Sequence, residues 1–169
     1  MKHRLVHFGL AIWLALVSAQ ACGYVLLDSR WPTPMTTFLV QIYNAQDGYD
    51  SPSGVLWNDA FEAAMSRWHE DTVFRFSALR NTYASHCLNG STADGRNGVD
   101  FMADACDFAF GSTTLAITIN TTSSSDWATT VESDIFFNEA WDWDVYNGPQ
   151  QGDVFDFTRI ATHELGHTI

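Results

Sequence analysis

The chain contains two kinds of apolar pattern. Some segments are short runs typical of β-strands, and others have apolar residues three and four positions apart, as in helices. Residues 35–43 and 131–138 are dense in β-branched and aromatic side chains, which predicts two strands. Shorter runs of the same kind predict strands at 73–76, 99–102 and 115–119. Polar segments with Gly, Ser, Asp and Asn separate several of these runs and are typical of the loops between strands.

Two further segments have the spacing of amphipathic helices. Residues 55–70 carry apolar side chains three and four positions apart, which predicts a helix with one buried face. From Asp153 onward the pattern is again helical, with Asp153 or Asp156 as the N-terminal cap or helix-dipole partner. The order of strand, helix, several strands and helix predicts an α+β domain, in which one mixed sheet packs against two helices.

The first 21 residues have the form of a secretory signal peptide. Lys2 and Arg4 form a basic start, an apolar run covers 5–17, and Ala19 and Ala21 supply the small residues of a cleavage site. A buried N-terminal helix is the alternative. We therefore expect a secreted, extracellular protein whose single mature domain spans residues 22–169.

Composition changes this picture in two ways. A hydrophobic content of 46% with 17% charged residues argues against intrinsic disorder in this chain of 169 residues. The formal net charge of −12 makes a nucleic acid a poor partner, because phosphate binding depends on cationic side chains.

No apolar run reaches the roughly 20 residues of a spanning helix, so we expect no transmembrane span. We expect a monomer.

Export permits disulfide bonds among the three cysteines. Cys87 and Cys106 flank a loop rich in Gly, Ser, Asp and Asn, and we expect these two to pair. Cys22 is then left outside the bridge. It is either a free or intermolecular thiol or, as the first residue after cleavage, a site for a lipid anchor.

The candidate chemistry lies in the last predicted helix, which reads His163-Glu164-Leu165-Gly166-His167. Histidines four positions apart share one helix face and can bind one Zn²⁺ through their imidazoles. Glu164 follows the first ligand, so it would act on a zinc-bound water as general base for peptide hydrolysis. The alternative is a pair of surface histidines. His69 and His86 have no ligand-spaced partner and are expected to be surface or loop residues.

This motif resembles that of the metzincin zinc endopeptidases, and within them the matrixins, whose long motif is His-Glu-x-x-His-x-x-Gly-x-x-His. Gly166 also matches the Leu-Gly common in matrixins. Residues 133–141 resemble the strand and metal-binding loop before the zinc helix, and residues 110–116 resemble the entry to the edge strand that holds substrate. The resemblance implies a zincin-like fold with a mixed, mostly parallel, twisted sheet on two helices.

The resemblance also implies metal sites beyond the zinc pair. Asp134, Asn138 and Glu139 fall in the segment where the family binds calcium, and their hard oxygen atoms suit Ca²⁺. A solvated acidic turn is the alternative interpretation. Phe136 stands where animal members carry a His that binds a second, structural zinc, so we expect that second site to be missing.

The family's third zinc ligand would fall at position 173, beyond Ile169. We therefore expect an incomplete catalytic domain that lacks its C-terminal subdomain, and a zinc helix that ends in a frayed turn. One alternative is a zincin with a downstream Glu as third ligand. Another is a non-catalytic secreted module that binds metal or polymers through aromatic loops. Trp141 and Trp143 could contact carbohydrate in such a module, or could pack a loop over the zinc helix.

Overall fold

The computed structural model describes residues 28–44, 49–80, 86–87 and 92–169. The predicted signal peptide and Cys22 lie outside the described residues. No helix within the described ranges is both long enough and apolar enough to cross a membrane.

The main element of the fold is a five-stranded sheet packed against two helices. Its strands are β1 (Met35–Leu39), β2 (Arg75–Leu79), β3 (Asn97–Met102), β6 (Ala116–Ser123) and β7 (Asp126–Asn138). Two short pairs complete the strands: β4 (Asp104–Ala105) with β5 (Phe108–Ala109), and β8 (Asp142–Asp144) with β9 (Val154–Asp156). The helices are α1 (Trp57–Asp71) and α2 (Phe157–Thr168).

The order of strands in the large sheet is β2-β1-β3-β7-β6. Neighbours among β2, β1, β3 and β7 run parallel, whereas β6 at the edge is antiparallel to β7. The α+β class, the mostly parallel mixed sheet and the two helices are therefore confirmed. The antiparallel edge arises because a short turn at 124–125 joins β6 to β7, and a tight turn can join only antiparallel neighbours.

An aromatic core joins the sheet to both helices. Phe101 of β3 lies at its centre, with its ring centroid 5.2 Å from Trp57 of α1 and 5.5 Å from both Phe137 of β7 and Phe157 of α2. All four side chains are buried. Truncating any one of these rings should cost about 3–5 kcal/mol of stability, because the close-packed surroundings relax only partly. The core holds α2 against the sheet.

The structure corrects several predicted boundaries. The segment from Asp153 is not helical at first: β9 covers Val154–Asp156, and α2 begins at Phe157. Asp156 is at the N-cap position, but its side chain makes no capping hydrogen bond. Instead it accepts a 3.4 Å hydrogen bond from the amide of Tyr146 and lies 3.8 Å from Arg159. Strand β7 begins five residues before its predicted start, because pairing with β6 extends it beyond the apolar run.

The two cysteines paired in the sequence analysis are joined in the structure. Cys87 and Cys106 form a disulfide with their Cα atoms 5.3 Å apart. Cys106 and Asp107 make the tight turn between β4 and β5, and both have positive φ angles, of 55° and 71°. Two successive positive φ angles suit the twist of a two-residue hairpin loop. The bridge therefore links the loop before β3 to a hairpin after it.

Candidate metal centre

Helix α2 presents the motif because its two sides have different environments. Ala161 and Leu165 are fully buried against the core. His163 is exposed and His167 is partly exposed on another side of the helix. A four-residue step returns almost to the same angle around a helix, so the two imidazoles lie one turn apart on one face.

The histidine pair has the spacing that a metal ion requires. The Nε2 atoms of His163 and His167 are 3.2 Å apart, and the ring centroids are 4.9 Å apart. Two nitrogen ligands at about 2.0–2.1 Å from a tetrahedral Zn²⁺ would lie about 3.3–3.4 Å from each other. The two residues therefore fit one Zn²⁺ with little movement. Without a metal, the N–H of one ring can donate to the other ring.

Glu164 lies on a different side of the helix and is held by the sheet edge. Its side chain is 6% exposed, and Oε2 accepts a 2.7 Å hydrogen bond from the hydroxyl of Thr118 on β6. The same hydroxyl lies 3.1 Å from the backbone carbonyl of Glu164. Oε1 accepts no hydrogen bond from any residue in the described ranges. Oε1 is therefore the oxygen of this carboxylate that has no protein donor in the described structure.

A cavity of about 620 Å³ opens beside His163 and Glu164. Leu115 and Ala116 line it from the start of β6, and Ile160 lines it from α2. Arg67 and Arg159 lie at the same cavity and supply positive charge. The cavity can therefore take an apolar side chain next to the histidine pair, with cationic groups nearby for an acidic neighbour.

The last turn of α2 is anchored, and the expectation of a frayed end was wrong. The indole of Trp31 donates to the carbonyl of Thr168 at 2.6 Å, and the amide of Asn120 donates to the carbonyl of His167 at 2.8 Å. The hydroxyls of Ser133 and Thr168 are also 3.1 Å apart. Side chains distant in sequence thus satisfy carbonyls that the helix alone leaves without partners.

The structure does not bring the three calcium candidates to one ion. Asp134 and Asn138 lie four residues apart on β7, which corresponds to about 13 Å at the rise of a strand. Asp134 accepts from the amide of Gly98 at 2.7 Å, and the side-chain oxygen of Asn138 accepts from the amide of Ala140 at 3.0 Å. Glu139 lies in the turn after the strand. In the described part of the chain, no three or more His, Cys, Asp or Glu side chains are grouped as metal ligands.

Sequence reasoning missed a buried group of titratable side chains on and beside β3 and β7. Burial raises the pKa of Asp134 to about 9. The hydrogen bond from the Gly98 amide lowers this pKa, whereas the nearby carboxylates of Glu132 and Asp94 raise it further. Burial also raises the pKa of Asp100 to about 6. The sequence carried a signal for Asp100, since this carboxylate stands between the apolar Val99 and Phe101 in the strand predicted at 99–102.

His86 belongs to the same group: it lies in the loop before β3, but it is buried there and is not a surface residue. It is 6% exposed, and its Nε2 lies 3.9 Å from Oδ2 of Asp100. Burial lowers the pKa of His86 to about 4, so the ring is neutral at pH 7. His69 has a structural role as well, because its Nε2 accepts a 2.9 Å hydrogen bond from the amide of Phe76.

The aromatic residues considered for carbohydrate binding serve the core instead. Trp143 is 7% exposed, and its ring lies 5.5 Å from Phe137 and 6.4 Å from Phe157 of α2. Its indole donates to the carbonyl of Asn138 at 2.9 Å, and that of Trp141 donates to the carbonyl of Thr114 at 2.9 Å. Trp143 therefore packs against the start of α2, as the packing alternative predicted, and Trp141 packs against Phe155 of β9.

Comparison with known proteins assigns no family to the chain. No protein-family model matches it. No curated protein matches it either.

Proposed function

We propose that this protein is a secreted zinc-dependent endopeptidase of the matrixin type, with His163 and His167 as zinc ligands and Glu164 as general base. The observation that carries the proposal is the 3.2 Å separation of the two Nε2 atoms, which suits two ligands of one tetrahedral ion. The motif by itself predicts only a shared helix face. The third ligand would be the His of the family motif at position 173; a downstream Glu is the alternative.

The arrangement of the sheet supports the same proposal. The resemblance implies an edge strand beside the zinc helix, entered through residues 110–116. Strand β6 begins at Ala116, forms the edge of the sheet, and pairs only with β7 in the described structure. An extended peptide could add to its other side through backbone hydrogen bonds. Such a peptide would pass along the cavity that His163 and Glu164 line.

Each residue of the site then has a defined chemical task. A Zn²⁺ ion held by His163 and His167 would supply Lewis acidity, which lowers the pKa of water and polarises a peptide carbonyl. Glu164 takes the proton from the attacking water and returns it to the leaving amine. Thr118 orients the Glu164 carboxylate through its 2.7 Å hydrogen bond. The apolar wall of Leu115 and Ile160 selects an apolar substrate side chain.

The experiment that tests this function uses a chain extended through position 173 with the family's Gly at 170 and His at 173. Cleavage of a quenched fluorescent peptide and zinc content are measured for wild type, Glu164→Gln and His167→Ala. We expect Glu164→Gln to keep zinc and lose about 100-fold or more in kcat, because it removes the proton carrier and no ligand. His167→Ala should lose both zinc and activity. Near-normal activity of Glu164→Gln would contradict the proposal.

A further inference from the structure

A second cavity, of about 500 Å³, lies away from the histidine pair. Three aromatic side chains and one carboxylate line it: Tyr43, Tyr49, Trp57 and Asp50. Tyr43 follows the carboxyl end of β1, and Trp57 is the first residue of α1. The cavity is therefore at the carboxyl edge of the parallel strands, where open α/β sheets commonly bind ligands.

The rings form a rigid corner. Tyr43 and Tyr49 are nearly perpendicular, at 87°, with ring centroids 5.9 Å apart. Tyr43 stacks on Phe101 at 5.1 Å, and Trp57 packs edge-on against Phe101 at 5.2 Å. Because Phe101 is buried in the aromatic core, it fixes two walls of the cavity. Tyr49 is 57% exposed and forms the side that is open to solvent.

The backbone of Tyr43 is also held in place. Its φ of 58° and ψ of 29° lie in the left-handed region, which is unfavourable for a bulky aromatic residue. The carboxylate of Asp100 accepts a 2.8 Å hydrogen bond from the Tyr43 amide. That contact holds the backbone of Tyr43 in this conformation, and stacking on Phe101 holds its ring.

The charged groups at and near this cavity are carboxylates. Asp50 lines the cavity directly, and no Arg or His is among its lining residues in the described structure. Two further carboxylates lie near the Tyr43 hydroxyl. Burial is the main effect that raises the pKa of Tyr43, and the negative charges of Glu139 and Asp100 raise it further. An anion would be repelled from this cavity, whereas a cation would be attracted.

We propose that Tyr43, Tyr49, Trp57 and Asp50 form a binding site for an organic cation with an alkylated ammonium group. The electron-rich faces of aromatic rings attract such cations, and their apolar surfaces suit its methyl groups. The carboxylate of Asp50 provides charge complementarity at the open side. A trimethylammonium group is shared by small solutes such as choline and by trimethylated lysine side chains, and this chemistry defines the ligand class.

The first experiment separates charge from shape. The 169-residue protein is titrated by NMR with choline and with 3,3-dimethylbutan-1-ol, a neutral molecule of the same shape, in the presence of EDTA. We expect choline to bind about tenfold more tightly than the neutral alcohol, since only the cation gains from the ring faces. Equal affinities would overturn the proposal and identify an apolar cavity without cation selectivity.

A second arm identifies the source of the cation. N-acetyl-trimethyllysine amide and N-acetyl-lysine amide are titrated in the same way. Tighter binding of the trimethylated lysine than of choline indicates a modified protein tail, whereas tighter binding of choline indicates a small solute. Either result supports the site. Failure of both trimethylammonium probes to bind would overturn it.

The choline affinities of variants test whether binding occurs in this cavity. Tyr49→Ala and Asp50→Asn should each weaken choline binding by roughly fivefold, because each removes one wall or charge at the exposed side. Trp127→Ala, which removes a 70% exposed ring from β7, and His163→Ala serve as matched controls with unchanged affinity. Near-UV circular dichroism verifies the fold of every variant. Wild-type affinity in both Tyr49→Ala and Asp50→Asn would contradict the proposal.

Discussion

The hydroxyl of Thr118 on β6 donates to the Glu164 carboxylate on α2 at 2.7 Å, across 46 residues of sequence. This contact joins the edge of the sheet to the helix that carries the histidine pair. It engages Oε2, whereas Oε1 has no protein donor in the described structure. The proposed general base is therefore oriented by a strand, and its orientation does not depend on α2 alone.

The Thr118 contact can be removed without changing the shape of the side chain. Thr118→Val should lower the free energy of unfolding by about 1.5–3 kcal/mol, because the hydrogen bond goes to a carboxylate that stays buried. Chemical denaturation measures this loss. Thr122→Val is the matched control on the exposed part of the same strand, and it should change stability by less than about 0.5 kcal/mol. Equal stability of both variants would show that the contact contributes nothing.

The 169-residue chain should bind Zn²⁺ weakly and with a stoichiometry of one. Two imidazoles leave two coordination positions to water, whereas zinc sites in proteins normally use three or four protein ligands. Isothermal titration calorimetry measures the affinity, and His163→Ala should abolish it. Glu164→Gln should leave it unchanged. We expect no hydrolysis of casein by this chain; cleavage with bound zinc would show that a third protein ligand is not required.

The buried carboxyl of Asp134 should make stability fall as pH rises. Its folded pKa of about 9 lies above its ordinary value of 3.8, so between these two values the folded state keeps a proton that the unfolded state has released. The free energy of unfolding should therefore decrease from pH 5 to pH 9, by about 1 kcal/mol per pH unit. Denaturation in EDTA at several pH values measures the slope.

Replacing this carboxyl by an amide tests the assignment. Asp134→Asn cannot ionise but keeps an oxygen for the amide of Gly98, so the decline between pH 5 and pH 9 should flatten. The exposed Asp142→Asn should keep the wild-type slope. An unchanged slope in Asp134→Asn would assign the pH dependence to another group.

Gly98 and His86 should show strong energetic coupling. A Cβ atom built on Gly98 would lie 1.9 Å from Nδ1 of His86, closer than any real contact. Gly98→Ala should therefore destabilise the protein by about 1–3 kcal/mol, through overpacking of a buried site. His86→Ala removes the clashing ring, so the double variant should be more stable than the sum of the two single changes predicts. A double-mutant cycle with additive energies would contradict the contact.

Local sequence patterns predicted most of the elements and the candidate chemistry. The period of apolar residues located α1 and α2, and dense β-branched and aromatic runs located the main strands, because both patterns reflect one face turned toward a core. The histidine pair was predictable for the same reason, since a four-residue step on a helix sets the spacing of two side chains. The ends of β6 and β7 were less predictable, and β9 was predicted as helix, because strand pairing, and not composition, decides where such strands form and end.

The two helices, the main strands, the α+β class and the placement of His163, Glu164 and His167 on one helix could be predicted, because they follow from periodicities within single segments. The partners of these side chains, in contrast, depend on how distant segments pack. Thr118 reaches Glu164, and Trp31 reaches the end of α2, across long stretches of chain. The order of the strands likewise buries Asp134 on β7 and Asp100 on β3. Burial and long-range contacts depend on how distant segments pack, and no local pattern encodes that packing.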